Sequence, residues 1–238
     1  MKNILLAVAL IFINIASDAQ QTIVNDANAE QRQLTGSFTA IKVSGGIDLY
    51  ISQSATEALA VSASEQKYID DIKTVVENGV LRIYYDSKIR WTKGNKKLKV
   101  YLSFKNIERL EANGSSDVHV AGIIAVPSLS LDMNGASNFK GAVNVTNLTM
   151  ELSGASDARI SGTATNVTIQ SSGASDLKGY DLVTENCTAK ASGASDINIT
   201  VNKELNVHAS GASDVYYKGT GVIRDIHSSG ASTVAKRG

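Results

Sequence analysis

Four identical pentapeptides, Ser153–Asp157, Ser172–Asp176, Ser192–Asp196 and Ser210–Asp214, all read SGASD. Relatives begin at Asn113 (NGSSD), Asn134 (NGASN) and Ser229 (SGAST). Their last residues are the first chemical candidates. If the motif recurs once per turn of a repeating fold, Asp157, Asp176, Asp196 and Asp214 stack in one column. Asp117, Asn138 and Thr233 occupy the same place in the relatives. Carboxylates ~5 Å apart repel by ~1 kcal/mol per pair even in a water-like medium. Hydrogen bonds from the turn backbone would offset this. A hard cation such as Ca2+ bridging the oxygens would do so too. The backbone is the simpler expectation, because the spacing does not match the nonapeptide Ca2+ solenoid repeat. A row of Asp and Ser also suits sugar hydroxyls. No other cofactor is called for.

Two further groups could do chemistry. The run KIRWTKGNKKLK gathers Lys88, Arg90, Lys93, Lys96, Lys97 and Lys99 around Trp91, the chain's only Trp. Such a cluster could grip an anionic polysaccharide with Trp91 stacked on a sugar, or it could be a solvated hairpin tip. His208 and His227 fall at one repeat position, in a column with Asp132, Glu151, Gln170 and Lys190. Neighbouring turns would bring the two imidazoles together. With no clear third ligand, they read as part of a solvated face. The mixed column also excludes a flat Thr array of the ice-binding kind. Enzyme signatures are missing: there is no G-x-S-x-G, H-E-x-x-H, P-loop or CxxC.

What positions these residues is the repeat. The motif glycines are Gly114, Gly135, Gly154, Gly173, Gly193, Gly211 and Gly230, spaced by 21, 19, 19, 20, 18 and 19 residues. Between them the sequence alternates with period 2, as in Leu148, Met150 and Leu152, which marks strands with one buried face. A 19-residue turn cannot bury that face alone, but stacked turns can, with strands ~4.8 Å apart. The chain is therefore expected to be all-β: a right-handed parallel β-helix of roughly seven turns, its handedness following the general crossover preference. A β-sandwich is the runner-up. The pentapeptide is the corner, with its Gly and second Ser pointing inward and its Asp outward. Asn147, Asn166 and Asn186 each precede a motif Gly by seven residues and form a second column.

The rest of the chain divides around this body. Residues 1–19 read as a signal peptide: MKN is basic, ILLAVALIFINIA is apolar, and Ser17 and Ala19 suit a cleavage site. The apolar run is too short for a membrane span, and no Cys follows it to carry a lipid. Residues 20–36 are a flexible leader, 37–112 an N-terminal β-rich cap or irregular first turns, and 113–238 the repeats. Within 37–112, Asn78-Gly79 between apolar runs signals a hairpin, and EQKYIDDI a short helix. The single Cys187 rules out a disulfide within the chain. The formal charge is zero, with 23 basic and 23 acidic residues, so no global field attracts nucleic acid.

SGGIDLYIS, VENGVLRI, KVYLSFKNIERLEANGSSDV and the serial SGASD corners together resemble the auto-transporter adhesin head GIN domain of secreted Gram-negative proteins. The likeness spans about residues 37–235. Gly46-Ile47-Asp48 matches the motif that names the domain, with Asp for Asn. The resemblance implies a β-helical, adhesin-like module and carries no catalytic or binding residues with it. No translocator barrel is read in these 238 residues, so self-export is not expected. The expected function is a non-enzymatic binding or structural module, secreted or in the periplasm or envelope, contacting glycan or another envelope component. One alternative is a polysaccharide lyase or glycoside hydrolase, opposed by turns of 18 to 21 residues that leave no cleft-forming insertion. The other is a self-associating envelope protein joined end to end beyond Ser232.

Overall fold

The computed structural model describes residues 26–86 and 96–237. The first elements are β1 (Glu30–Arg32), β2 (Ala40–Val43), β3 (Asp48–Gln53), β4 (Ala58–Ser62), α1 (Gln66–Asp71), β5 (Ile72–Glu77), β6 (Val80–Tyr85), β7 (Lys99–Phe104) and β8 (Arg109–Ala112). Long strands follow: β9 (Asp117–Met133), β10 (Asn138–Leu152), β11 (Asp157–Ser171), β12 (Asp176–Ala191) and β13 (Asp196–Ala209). The chain closes with β14 (Asp214–Lys218), β15 (Val222–Ser228) and β16 (Thr233–Lys236).

From β9 onward every neighbour is parallel and offset by one repeat, so Asp157 pairs with Asp176 and Asp176 with Asp196. This is a parallel β-solenoid. Its interior is built from columns of equivalent residues. Val118, Phe139, Ala158, Leu177, Ile197 and Val215 form one column, all buried. The small Ala158 lies beside the large Phe139, which keeps the column filled without overpacking. Cys187 continues the Leu148 and Val167 column, and burial pushes its thiol up to about 12, so it serves as core rather than nucleophile.

The corner differs from the expected one in its glycine. Ser156 is buried as expected, but Gly154 is exposed. Its φ is 80°, and a Cβ there would stand 2.4 Å from the Gly135 carbonyl oxygen of the turn before. Close stacking of corners, not interior room, therefore demands glycine. The residue after each Gly completes the lock: the Ala155 N–H donates to the Gly135 carbonyl and the Ala174 N–H to the Gly154 carbonyl, both at 2.7 Å. The second Ser turns inward, and its hydroxyl donates to the carbonyl three residues back, as from Ser156 to Ser153 at 2.9 Å. Opposite this corner the Asn column forms a ladder, Asn186 to Asn166 and Asn166 to Asn147, each at 3.0 Å.

The N-terminal part is interleaved with the solenoid. β2 lies between β6 and β8, and β3 between β7 and β9, all parallel. SGGIDLYIS is therefore not one strand but a corner joining β2 to β3. Gly45 (φ 89°) stands under Gly114, and Ile47 takes the place of the inward Ser. Beyond this turn the edges are closed by antiparallel strands, β4 on β7, β1 on β4 and β5 on β6. Closure of this kind removes the open edge that a parallel stack would otherwise present. Asn78 (φ 50°) and Gly79 (φ 76°) turn the β5–β6 hairpin, and EQKYIDDI supplies α1. Residues 26–36, expected to be a flexible leader, are held instead: β1 pairs with β4, and Asp26 accepts a hydrogen bond from the Tyr101 hydroxyl at 2.8 Å. The signal-peptide reading of 1–19 lies outside the described residues.

Candidate functional site

Two outward columns run side by side on the strand that leaves each SGASD corner. The first holds Asp48, Asp117, Asn138, Asp157, Asp176, Asp196, Asp214 and Thr233 in register. The second, two residues on, holds Tyr101, Tyr50, His119, Lys140, Arg159, Lys178, Asn198 and Tyr216.

The acidic row is eased at Asp117 and Asp214 and strained at Asp48 and Asp196. The Asn138 amide donates to Asp117 at 2.7 Å. Asp214 accepts from the Tyr216 hydroxyl at 2.9 Å and the Thr233 N–H at 3.1 Å. Asp196 has acidic neighbours on both sides. Burial and then the charges of Asp176 and Asp214 push its carboxyl above the usual range, against a hydrogen bond from the Asp214 backbone. At Asp48 burial and then Asp117 act the same way, opposed by His119 and Lys99. Adjacent carboxylates could share a cation only in pairs, because the third stands two strand spacings, ~9.6 Å, away.

The second column changes character along the axis. Tyr101, Tyr50 and His119 form a stack, with ring centroids 5.3 and 4.9 Å apart. The Tyr101 hydroxyl is held well above its usual range, by burial first and then by its bond to Asp26. Next come three exposed cations in register, Lys140, Arg159 and Lys178. Among the described residues none of the three has an ion-pair partner. Beside them runs a groove of about 430 Å³, lined by Tyr50, His119, Lys140, Arg159, Ser161 and Asp181 among others.

The groove follows the second bend of each turn, where the repeat length varies. β9 carries two extra residues there relative to β10, because His119–Ile123 faces Lys140–Ala142. β12 carries one extra relative to β11, where Lys178–Asp181 faces Arg159–Ser161. These bulges account for the 21- and 20-residue spacings. The second of them admits Tyr180, whose ring lies 4.7 Å from the Lys218 ammonium.

A family model described as "Putative auto-transporter adhesin, head GIN domain" matches residues 37–221. The chain belongs to this family. No curated protein matches it. Among solved structures, a "putative adhesin" from Bacteroides fragilis superposes with a TM-score of 0.81 at 20% identity, covering 88% of this chain and 96% of that one. A "putative lipid binding protein" from Parabacteroides distasonis gives 0.66 at 20%, covering 89% and 97%. A "putative adhesin" from the same organism gives 0.69 at 16%, covering 88% and 96%. At these identities the likeness is one of fold.

Trp91, Arg90 and Lys93 of this head GIN domain lie outside the described residues. Lys96 is turned onto the protein's own rings, 4.3 Å from the Tyr85 centroid and 5.8 Å from that of Tyr68, and Lys97 has left-handed backbone (φ 49°). His208 and His227 do meet across β13 and β15, with rings 4.8 Å apart and within 9° of parallel. Asp225 joins them, a residue the sequence reading passed over. Alternation counted back from Gly230 puts it on the His227 face. The cation row Lys140, Arg159 and Lys178 was passed over too, although each stands two residues after a member of the Asp column.

Proposed function

We propose that this head GIN domain is an exported, non-enzymatic adhesin module that holds an anionic glycan of the cell envelope along its cation row. The unpaired row Lys140–Arg159–Lys178 carries this reading. Three like charges on adjacent strands, ~4.8 Å apart, repel one another and gain from a polyanion laid along the axis. The acidic row beside them sets the lateral limit, because carboxylates repel an anionic chain that strays. The Tyr50–His119 wall of the groove adds polar edges for hydroxyls. Family membership supports an adhesive and exported role, and the regular turns offer no walled cleft for catalysis. No helix among the described residues is long and apolar enough to cross a membrane.

The test is retention of the purified chain on immobilised anionic and neutral polysaccharides and on isolated envelopes, with released reducing ends assayed in the same tubes. Retention on the anionic glycan, weakened at least ~tenfold in a Lys140→Ala/Arg159→Ala/Lys178→Ala variant and falling with salt, is the expected result. Retention lost only in Trp91→Ala would move the site to the basic segment 88–99. Released product would make the protein an enzyme.

A further inference from the structure

On the other side of the SGASD corner lies a second groove, of about 720 Å³, with His208 and His227 in its wall. We propose that His208, Asp225 and His227 bind a divalent transition-metal ion of the zinc class, leaving open coordination positions toward this groove. Among the described residues it is the only trio of His, Cys, Asp or Glu side chains whose donor atoms all lie within 4.8 Å of one another.

The backbone brings the three together. His208 on β13 is in register with His227 on β15, and Asp225 is two residues before His227 on the same face. Arg224 bulges out of the pairing, so Ile223 stays opposite Leu205 while Asp225 and His227 remain outward. The bulged Arg224 is held by Glu204 through bonds of 2.8 and 3.1 Å, which leaves the Asp225 carboxylate to the imidazoles. Asp225 Oδ1 is 3.2 Å from His227 Nδ1, and Oδ2 is 3.8 Å from His208 Nε2. Zn–N and Zn–O bonds of ~2.0–2.2 Å at tetrahedral angles put donor atoms ~3.3–3.5 Å apart. One edge already fits, the edge to His208, reached by the other carboxylate oxygen, must close by about half an ångström, and the two imidazole donors must draw together from within 4.8 Å. Parallel rings do not aim their lone pairs at one point, so at least one imidazole must turn. Both are free to do so, with side chains 46% and 67% exposed.

The donor set selects the metal class. Two imidazoles and one carboxylate suit Zn2+, Cu2+ or Ni2+, whereas Ca2+ needs six to eight oxygens. Cys187, the chain's only thiol, is buried and does not compete. Lys190 occupies the same column but lies across His208 from Asp225, on β12. A bound ion would tie β15 to β13 at the end of the stack, where β15 is otherwise largely exposed.

The experiment is calorimetric titration of ZnCl2 into the full chain without an affinity tag, paired with thermal unfolding. One zinc per chain is expected, together with a zinc-dependent rise in the unfolding midpoint. His208→Ala and His227→Ala should each weaken binding at least ~tenfold, the loss that even outer partners of a metal ligand cause. Asp225→Asn should weaken it less, and His119→Ala not at all. All three ligands are exposed, so the variants should unfold at the wild-type midpoint without metal. Absence of saturable binding, or binding unchanged in both His208→Ala and His227→Ala, would overturn the proposal. Neither result bears on the cation row, which lies across the corner.

Discussion

Two bends of each solenoid turn are built on opposite terms. The SGASD corner is held by its own backbone: Gly stacks on Gly, the next N–H reaches the Gly carbonyl below, and the inward Ser fastens the carbonyl three residues back. Nothing there can lengthen without breaking the ladder. The second bend tolerates one or two extra residues, and the groove beside the cation row opens where they occur. Rigidity at one corner lets the other vary, so any binding function is free to evolve at the second bend while the first preserves register.

Substitutions at the two bends test that contrast. Gly173→Ala combines a φ of 80° with a Cβ 2.5 Å from the Gly154 carbonyl. Left-handed strain of ~1–2 kcal/mol and a clash of similar size should cost about 3 kcal/mol, lowering the unfolding midpoint by ~10 °C. Gly122→Ala at the second bend shares the positive φ, 81°, but its Cβ would meet nothing within 4 Å. Its loss should stop at ~1–2 kcal/mol of strain. Equal losses at the two sites would mean that backbone angle alone, not stacking, defines the corner.

Asp196→Asn gives the smallest effect, and its sign depends on pH. The folded protein holds the Asp196 carboxyl above its ordinary value. Its contribution to stability is therefore complete below that value and lost as pH rises through the folded pKa. The variant should be more stable than the wild type at pH 7, by no more than ~0.5 kcal/mol for so accessible a site. It should match the wild type at pH 3. Unfolding midpoints at the two pH values decide this, and a variant less stable at pH 7 would show that the hydrogen bond from the Asp214 backbone, or a bound cation, outweighs the repulsion.

The body of the fold was legible because period and parity are local signals. Seven motif glycines define the turn, and alternation assigns each residue a face, which placed the Asp, Asn and His columns. The N-terminal turn was hidden because its partners are distant in sequence. Ala40 pairs with Val80 and with Arg109, and no run of residues between them repeats. Its corner was also disguised, since Ile47 replaces the inward Ser. The glycine's facing was misjudged because period 2 does not carry through a corner: Leu152 and Ser156 both point inward, and the three residues between them do not alternate. The cation row needed only the parity already in use, followed two residues past each Asp.

The N–H to carbonyl bonds of the SGASD corner run one way, although the inward Ser N–H, as at Ser156, donates to the Ser hydroxyl of the next turn. In each turn the N–H groups at three positions, such as Ser172, Ala174 and Asp176, reach carbonyls of the turn before. The stack is thus polar along its axis, as an α-helix is. At the N-terminal end two of these donors are satisfied, with Ser44 reaching Ile83 and Asp48 reaching Leu98. At the other end no backbone N–H among the described residues reaches the matching carbonyl of Gly230 in the Ser229–Thr233 corner. Two copies meeting there tail to tail would set acceptor against acceptor. A partner that continued the ladder would have to arrive with N–H groups or cations first.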